Sequence, residues 1–350
     1  MTNPSTTWRD GDEYTVPVPG GDLAVTRWAG APAGTPVLAV HGITANGHAF
    51  ARLAAELAAR GGPPLLAPDL RGRGASGHLP GPHGLGVHVD DLVAVLDTAG
   101  IERTVLVGHS MGAFVACLAA VRHPDRVAGL LLVDGGQGLP APPVAHHRPA
   151  VRSAQGRATA LPSPTTTLSG RPSAAAPPSY GEPSAPASSP DTDIDAVLGP
   201  AMARLRMTFE GPDDYRGFWR RHPAFAGRWN TWVDHYVLRD LVGTPPETRS
   251  ACDEEAVRVD GAQVLADPEV LAAVHRLPCP ARLLWTARGL MDESPGLYTP
   301  QRLAGLPDDL VTVELPDDNH YSPLFSSTAA LLAEQVHALT EQSVQVQGEL

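Results

Sequence analysis

The stretch from residue 104 to residue 120, TVLVGHSMGAFVACLAA, places one serine between a β-branched run and an alanine-rich run. Residues 104–107 favour a strand, whereas residues 116–120 favour a helix. Between them, residues 108–112 read Gly-His-Ser-Met-Gly, a G-x-S-x-G pattern. A serine at the tip of a strand-to-helix turn has a strained backbone, and larger residues at the two glycine positions would collide with the neighbouring strand or helix. The pattern predicts a turn that presents Ser110 as a nucleophile beside a helix N-terminus.

Strand-like and helix-like segments alternate on both sides of this turn. TPVLAVHG and VAGLLLVDGG read as buried strands, whereas HAFARLAAELAARGG and LGVHVDDLVAVLDTAG have apolar residues at helical spacing and end on glycine. Alternation at these lengths predicts an α/β fold with a mostly parallel central sheet flanked by helices. Ligands of such sheets bind beyond the carboxyl ends of the strands. His41, Asp69, Ser110 and Asp134 all fall at predicted strand ends.

The middle of the chain has a different composition. Residues 149–190 contain nine prolines and few large apolar side chains. Such a segment cannot bury enough surface to offset the entropy of ordering it, so we expect it to be disordered. It lies inside a predicted insertion of short, aromatic-rich helices over residues 140–275. Residues 1–139 and 276–350 are predicted to form the core domain.

Charge and cysteine content exclude several classes of protein. A formal charge of −12 argues against nucleic acid or an anionic membrane as the main partner. The N-terminal residues lack the basic and apolar regions of a secretory signal, and no apolar run approaches the length of a membrane span. Three scattered cysteines make neither a disulfide framework nor a zinc site. We therefore expect a cytoplasmic protein without a metal or cofactor, and the sequence leaves its oligomeric state open.

A serine nucleophile needs a base to take its proton and a third group to fix the tautomer of that base. In this topology the acid and then the histidine follow the serine along the chain. His320, in LPDDNHYSPLF after the last predicted strand, is the expected base. Asp292, after the penultimate predicted strand, is the preferred acid on chain order and loop reach. Asp134 and Glu293 remain alternatives.

Acyl transfer also needs hydrogen-bond donors aimed at the developing oxyanion. The backbone N–H of Met111 is one expected donor, and that of Ile43 in the loop HGITANGHAF is the other. His41 begins that loop, and its ring is expected to be hydrogen-bonded beneath the loop, although it stays a candidate substrate contact. Aromatic residues of the predicted insertion are expected mostly to pack against one another, and only one or two are expected to contact substrate, from among Phe218, Trp219 and Trp232.

Four motifs occur in order along the chain: HGITANG, DLRGRGAS, GHSMGA and DNHYSP. Together they resemble the α/β-hydrolase family, and within it the serine-dependent capped esterases, C–C hydrolases and cofactor-free haloperoxidases. The resemblance covers nearly the whole chain outside residues 144–190, and is weak over the aromatic-rich helices. It implies a helical cap over residues 140–275 and a set of site residues: Ser110 as nucleophile, His320 as base, Asp292 as acid, and Ile43 and Met111 as oxyanion donors. The acid loop reads ARGLMDE, where relatives commonly show a glycine followed closely by aspartate, and this departure keeps Asp134 as an alternative.

These residues predict hydrolysis of an ester, lactone or thioester of a small, mostly apolar molecule. Ser110 would attack the carbonyl carbon, His320 would transfer the proton, and water would release the acyl group. A C–C bond hydrolase, a perhydrolase and a small-amide hydrolase would use the same triad. A receptor that binds a small ligand without turnover is the alternative from another class, because fold does not fix function. Family resemblance implies an aspartate in place of Ser110 for haloalkane dehalogenases and epoxide hydrolases, which makes those two reactions unexpected here.

Overall fold

The computed structural model describes residues 11–31, 34–138 and 194–348. The predicted disordered tract and the predicted start of the cap at residue 140 lie outside these ranges. All the described residues belong to one unit, which spans residues 1–140 and 192–350.

Eight of the described strands form one sheet. The strands of the described ranges are β1 (Asp12–Val18), β2 (Gly21–Trp28), β3 (Val37–Val40), β4 (Leu65–Pro68), β5 (Thr104–His109), β6 (Val127–Val133), β7 (Leu241–Thr244), β8 (Glu247–Ser250), β9 (Ala281–Arg288) and β10 (Val311–Asn319). The sheet order is β1-β2-β4-β3-β5-β6-β9-β10. Pairing is antiparallel between β1 and β2 and between β2 and β4, and it is parallel from β4 onward. The predicted mostly parallel sheet is confirmed.

Helices cover both faces of this sheet. The described helices are α1 (Ala51–Ala59), α2 (Leu85–Thr98), α3 (Met111–Arg122), α4 (Ile194–Leu205), α5 (Pro212–Arg220), α6 (Thr231–Arg239), α7 (Glu254–Ala266), α8 (Pro268–Ala273), α9 (Pro300–Leu303), α10 (Ser322–Phe325) and α11 (Ala329–Gly348). Because side chains alternate across a strand, Val37 and Ala39 of β3 join one apolar cluster with α1 and α11. Leu38 and Val40 join the other cluster with α2 and α3. No helix in the described ranges has both the length and the apolar character that crossing a bilayer requires.

The chain between β6 and β9 leaves the sheet, and its described part, residues 194–276, is called the insertion here. It contains α4, α5 and α6, in segments whose pattern predicts short helices, and also α7, α8 and an antiparallel hairpin of β7 and β8, which the pattern did not predict. The apolar spacing of residues 229–243, WNTWVDHYVLRDLVG, predicts a helix that contains Trp232 and continues through DLVG, and the structure shows that this prediction is wrong at its C-terminal end. The helix ends at Arg239, and residues rich in Val and Thr then form strands on either side of Pro245 and Pro246.

Candidate active site

Ser110 occupies the turn between β5 and α3 in a conformation that few residues adopt. Its φ of 55° and ψ of −123° lie outside the favoured regions for a residue with a side chain. The neighbouring glycines permit this turn, since a Cβ on Gly108 would lie 2.4 Å from the carbonyl oxygen of Gly112, and one on Gly112 would lie 2.0 Å from that of Val40. The backbone N–H of Ser110 donates to the carbonyl of Val133 at 3.0 Å. The strained turn is therefore held by close backbone packing, as G-x-S-x-G predicts.

His320 follows β10, and its ring meets a buried carboxylate. Nδ1 of His320 lies 2.6 Å from Oδ2 of Asp134, and the two side chains are 3% and 0% exposed. Asp134 follows β6 with a φ of 45°, and its Oδ1 accepts the backbone N–H of Thr286 in β9 at 3.0 Å. A carboxylate at Nδ1 favours the tautomer that carries its proton there, which leaves Nε2 able to accept a proton from a serine hydroxyl.

Asp292, the preferred acid of the sequence analysis, does not contact His320. Its carboxylate forms an ion pair with Arg288 at 2.9 Å and accepts from Nδ2 of Asn319 at 3.0 Å. These contacts lower the pKa of Asp292, with the hydrogen bond from Arg288 as the largest cause. Arg288 stands four residues earlier and captures the carboxylate within its own loop. The structure thus corrects the first choice of acid and places the alternative, Asp134, against the histidine.

Glu293, the other carboxylate left open by the sequence, also stays within its own loop. Its Oε2 accepts the backbone N–H of Met291 at 2.7 Å.

The sequence did contain an indication for Asp134, because Gly135 and Gly136 follow it directly. A Cβ on Gly135 would lie 2.1 Å from the carbonyl oxygen of Ser110. Only glycine fits at position 135, because this position lies so close to the serine turn. Its neighbour Asp134 therefore also lies at the site.

His109, beside the serine, supports the backbone of the histidine loop. Its Nε2 donates to the carbonyl of His320 at 2.7 Å, and the two ring centroids are 4.7 Å apart. Burial, together with the neighbouring His320, lowers the pKa of His109 to about 3. The imidazole is therefore neutral near pH 7 and acts as a fixed hydrogen-bond donor.

The loop after β3 passes over Ser110. A Cβ on Gly42 would lie 3.1 Å from Cβ of Ser110, so only glycine lets the backbone approach this closely. His41 lies beneath the loop, where Nδ1 contacts the carbonyl of Gly42 at 2.8 Å and Nε2 accepts the backbone N–H of Leu70 at 2.9 Å. Burial lowers the pKa of His41 to about 4. With both ring nitrogens bonded to backbone and no exposed surface, His41 is placed for support of the loop and not for substrate contact.

Two adjoining cavities open at this end of the sheet. The first, the catalytic cavity, has a volume of about 90 Å³ and is lined by Ile43, Ser110, Met111, Asp134 and His320 together with apolar residues that include Phe114, Val264, Leu265, Leu297 and Tyr298. The second, the outer cavity, has a volume of about 180 Å³ and is lined by residues that include Arg204, Phe218, Trp219 and His222. Four residues line both cavities: Thr44, Ala201, Leu290 and Tyr321.

The remaining predicted site residues differ in whether they line one of these cavities. Phe218 and Trp219 reach the outer cavity, whereas Trp232 is not among the described residues that line either one. Val264 and Leu265 of α7 line the catalytic cavity and are not among the residues predicted from the sequence. Apolar residues at these positions are typical of any amphipathic helix, so the sequence does not distinguish them as site residues. Within the described ranges, no group of three His, Cys, Asp or Glu side chains is arranged to hold a metal ion.

Comparison with known sequences gives the same fold. Residues 35–179 match a family described as alpha/beta hydrolase fold. A lipase of Mycobacterium tuberculosis, LipV, is 40% identical over 119 residues, which cover 34% of this chain and 43% of the lipase. A serine hydrolase-like protein of Danio rerio is 32% identical over 141 residues, covering 38% of this chain and 40% of that protein. This chain thus spans less than half the length of these relatives.

Solved structures match over most of the chain. The crystal structure of an E-2-(acetamidomethylene)succinate hydrolase is 18% identical, with a TM-score of 0.68, covering 94% of this chain and 99% of that one. A thioesterase domain from the curacin biosynthetic pathway is 19% identical, with a TM-score of 0.61, covering 93% of this chain and 98% of that one. At these identities the likeness shows the fold alone.

Proposed function

We propose that this chain, whose residues 35–179 match the alpha/beta hydrolase fold family, is a serine hydrolase that cleaves an ester, lactone or thioester of a small, mostly apolar molecule. The observation that carries the proposal is the 2.6 Å contact between His320 Nδ1 and Asp134 Oδ2 in the cavity that Ser110 also lines. The names of the lipase, the serine hydrolase-like protein and the thioesterase domain fit acyl transfer from oxygen or sulfur.

The proposed reaction builds on the tautomer that Asp134 favours at His320. Nε2 of His320 takes the hydroxyl proton as Oγ of Ser110 attacks the substrate carbonyl carbon. Asp134 stabilises the imidazolium that forms, and the backbone N–H groups of Ile43 and Met111 stabilise the oxyanion. His320 then protonates the leaving group, which leaves the acyl group on Ser110. Water, activated by the same histidine, releases the acid and restores the hydroxyl.

The two cavities support a small substrate. The catalytic cavity, at about 90 Å³, is well below the roughly 300–1,000 Å³ of drug-sized sites, so it suits a short acyl chain. Its apolar walls, among them Phe114 and Leu297, favour an aliphatic group. The outer cavity continues from it past Thr44 and Tyr321 and would hold the alcohol or thiol portion.

A cytoplasmic location is also part of the proposal. The three cysteines are unpaired in the structure, which fits that location.

A fluorophosphonate probe tests the proposal without knowledge of the true substrate, since it reacts with an activated serine. The purified protein is labelled and digested, and the modified peptide is mapped. We expect labelling at Ser110 that is lost in Ser110→Ala and His320→Ala, followed by turnover in a panel of short-chain esters, lactones and thioesters.

Other outcomes separate the alternatives. Labelling with turnover only of amides, or only of carbon–carbon bonds in dienol diketones, would replace the ester assignment while keeping the nucleophile. Absence of labelling in a folded protein would contradict the proposal and favour a ligand receptor.

A further inference from the structure

A buried arginine is bonded to the back of the loop that carries the proposed oxyanion donor. Nε of Arg73 donates to the carbonyl oxygen of Ile43 at 2.9 Å. Nη1 of the same guanidinium donates to the carbonyl of Arg71 at 2.9 Å, and the Arg73 side chain has no exposed surface. The Ile43 carbonyl belongs to the peptide group that joins Ile43 to Thr44, so the hydrogen bond fixes the plane of that group. The donor N–H of Ile43 lies on the other side of the same Cα atom, and its direction is constrained with that plane.

The other side of this guanidinium meets the insertion. Nη1 of Arg73 lies 2.6 Å from Oδ2 of Asp260 in α7, and Nε2 of His88 in α2 lies 2.8 Å from the same oxygen. Burial alone would raise the pKa of Asp260, but the charges and hydrogen bonds of Arg73 and His88 hold that pKa well below its usual range. Gly261, the residue after Asp260, lines the catalytic cavity with Val264. The ion pair therefore joins a cavity wall to the oxyanion loop.

The cluster is poorly built for stability alone. Nη2 of Arg73, Oδ1 of Asp260 and Nδ1 of His88 are buried with no hydrogen-bond partner among the described atoms. Buried polar atoms without partners carry a desolvation cost, and a buried ion pair is weak evidence for stabilisation. A second guanidinium touches the same loop on the next residue, where Nη2 of Arg204 lies 3.5 Å from the carbonyl oxygen of Thr44. Two consecutive carbonyl groups of this loop thus face buried guanidinium groups.

We propose that Arg73 is a positioning residue that locks the oxyanion loop to α7 and keeps the Ile43 N–H aimed at the carbonyl oxygen of a substrate on Ser110. The inference rests on the proposed function for its catalytic consequence, because an oxyanion donor contributes only when its direction is fixed before the reaction. Its structural part, the rigidity of the loop, is independent of turnover.

The chain supplies a matched control in Arg71. This guanidinium is equally buried and pairs with Asp91 at 2.8 Å. Its remaining hydrogen bonds go to the carbonyl groups of Pro19 and Pro80 and not to the oxyanion loop. Loss of either arginine removes a buried ion pair, but only loss of Arg73 releases Ile43.

The experiment compares Arg73→Met and Arg73→Lys with Arg71→Met and Arg71→Lys in the full chain. Hydrogen–deuterium exchange measured by mass spectrometry follows the peptide that contains residues 42–47, and steady-state kinetics follow the best short-chain ester. We expect both Arg73 variants to exchange this peptide faster and to lose about 100-fold in kcat, the size of effect that a misplacement of about 1 Å produces. KM should stay within about twofold. Lysine keeps the charge beside Asp260 but lacks the planar fork that reaches Ile43 at the same time, so it should not restore kcat.

The Arg71 variants should show lower melting temperatures with unchanged exchange of residues 42–47 and unchanged kcat. Asp260→Asn should speed exchange in the wild-type background and add little to Arg73→Lys if the two residues act as one unit. If Arg73→Met does not fold, Arg73→Lys carries the test.

Equal exchange in the Arg71 and Arg73 variants, or a change in KM alone, would overturn the positioning role. A wild-type protein that neither labels nor turns over any substrate would contradict the proposed function instead, and the exchange comparison would still decide whether Arg73 holds the loop.

Discussion

Asp134 and His320 are separated by 186 positions in the chain, yet their side chains meet at 2.6 Å with almost no exposed surface. Asp134 reaches this contact from the end of β6, the strand next to the one that ends at the serine turn. Ser110 and Asp134 thus extend from neighbouring strands of one parallel ladder, and His109 anchors the histidine loop to the same ladder through the carbonyl of His320.

Asn in place of Asp134 should nearly abolish hydrolysis. The substitution keeps the shape but favours the wrong tautomer of His320, which lowers kcat by about 10⁴-fold in a comparable serine triad. Asp292→Asn is the matched control, because its carboxylate pairs with Arg288 and not with the base. We expect that control to retain kcat within about threefold of the wild type, because a surface ion pair contributes little to the stability of the fold. Kinetics on one ester for both variants measure the difference, and a larger loss in Asp292→Asn would return the acid to the loop after β9.

Stability should fall as the pH drops from 7.5 to 5. His41 and His109 have folded pKa values of about 4 and about 3, both below the unfolded value of about 6.5. Between these values the unfolded chain binds more protons than the folded one, so the free energy of unfolding decreases as the pH falls below about 6.5. At pH 5 the loss is about 2 kcal/mol for each histidine. Urea unfolding at several pH values measures it, and His109→Gln, which keeps a side-chain N–H donor, should show a shallower decrease. An unchanged slope in that variant would mean that the pKa of His109 does not differ between the folded and unfolded protein.

Alanine in place of Gly112 should destabilise the fold. The new Cβ would lie 2.0 Å from the carbonyl oxygen of Val40, a backbone atom that cannot move independently of β3. Overpacking of a protein core costs about 1–3 kcal/mol. We expect a loss near the upper value here, because the colliding atom belongs to the backbone. Gly305→Ala is the control, since a Cβ there meets nothing within 4 Å. Thermal unfolding compares the two, and equal melting temperatures would show that β3 and α3 are not in the contact described.

Enlarging the catalytic cavity should change the preferred acyl chain length. Leu265 lines this cavity from α7, and Leu265→Ala removes three carbon atoms from its wall. One methylene in an apolar pocket changes selectivity by about 1–3 kcal/mol. We therefore expect kcat/KM for a hexanoyl ester, relative to a butyryl ester, to rise about tenfold or more. Trp232→Ala should leave this ratio unchanged, because Trp232 lines neither described cavity. An unchanged ratio in Leu265→Ala would move the acyl group to the outer cavity.

Local patterns predicted the parts of the site that depend on neighbouring residues. The glycines at 108 and 112 determine the turn at Ser110, and a loop after the last strand places His320 at the same edge of the sheet. The acid depends instead on which strand lies beside β5, a long-range arrangement that chain order alone does not contain. The pairing of Arg288 with Asp292 spans only four residues. That short spacing was a local sign that Asp292 already had a partner.

The insertion was less predictable for a similar reason. Apolar spacing identified α4, α5 and α6 but not α7 and α8. The end of α6 and the start of the β7–β8 hairpin depend on contacts such as the pairing of Phe209 with Thr248. Trp219 and Trp232 both lie on predicted aromatic-rich helices, and only the packing of α5 and α6 determines that Trp219 reaches a cavity.

Because Asp134, at a strand end, contacts the His320 ring, the carboxylates of the segment after β9 serve other contacts. In the structure that segment contributes Leu290 to both cavities, while its carboxylates bind to Arg288, Met291 and Asn319. The carbonyl oxygen of Gly289 accepts the backbone N–H of His320 at 3.5 Å. Under the proposed function, exchanges at Leu290 and Met291, which line the outer cavity, would therefore change which molecules fit while the Asp134–His320 contact is kept. For engineering, these two positions are the ones to randomise, and Gly289 and the ends of β5 and β6 are the places to leave intact.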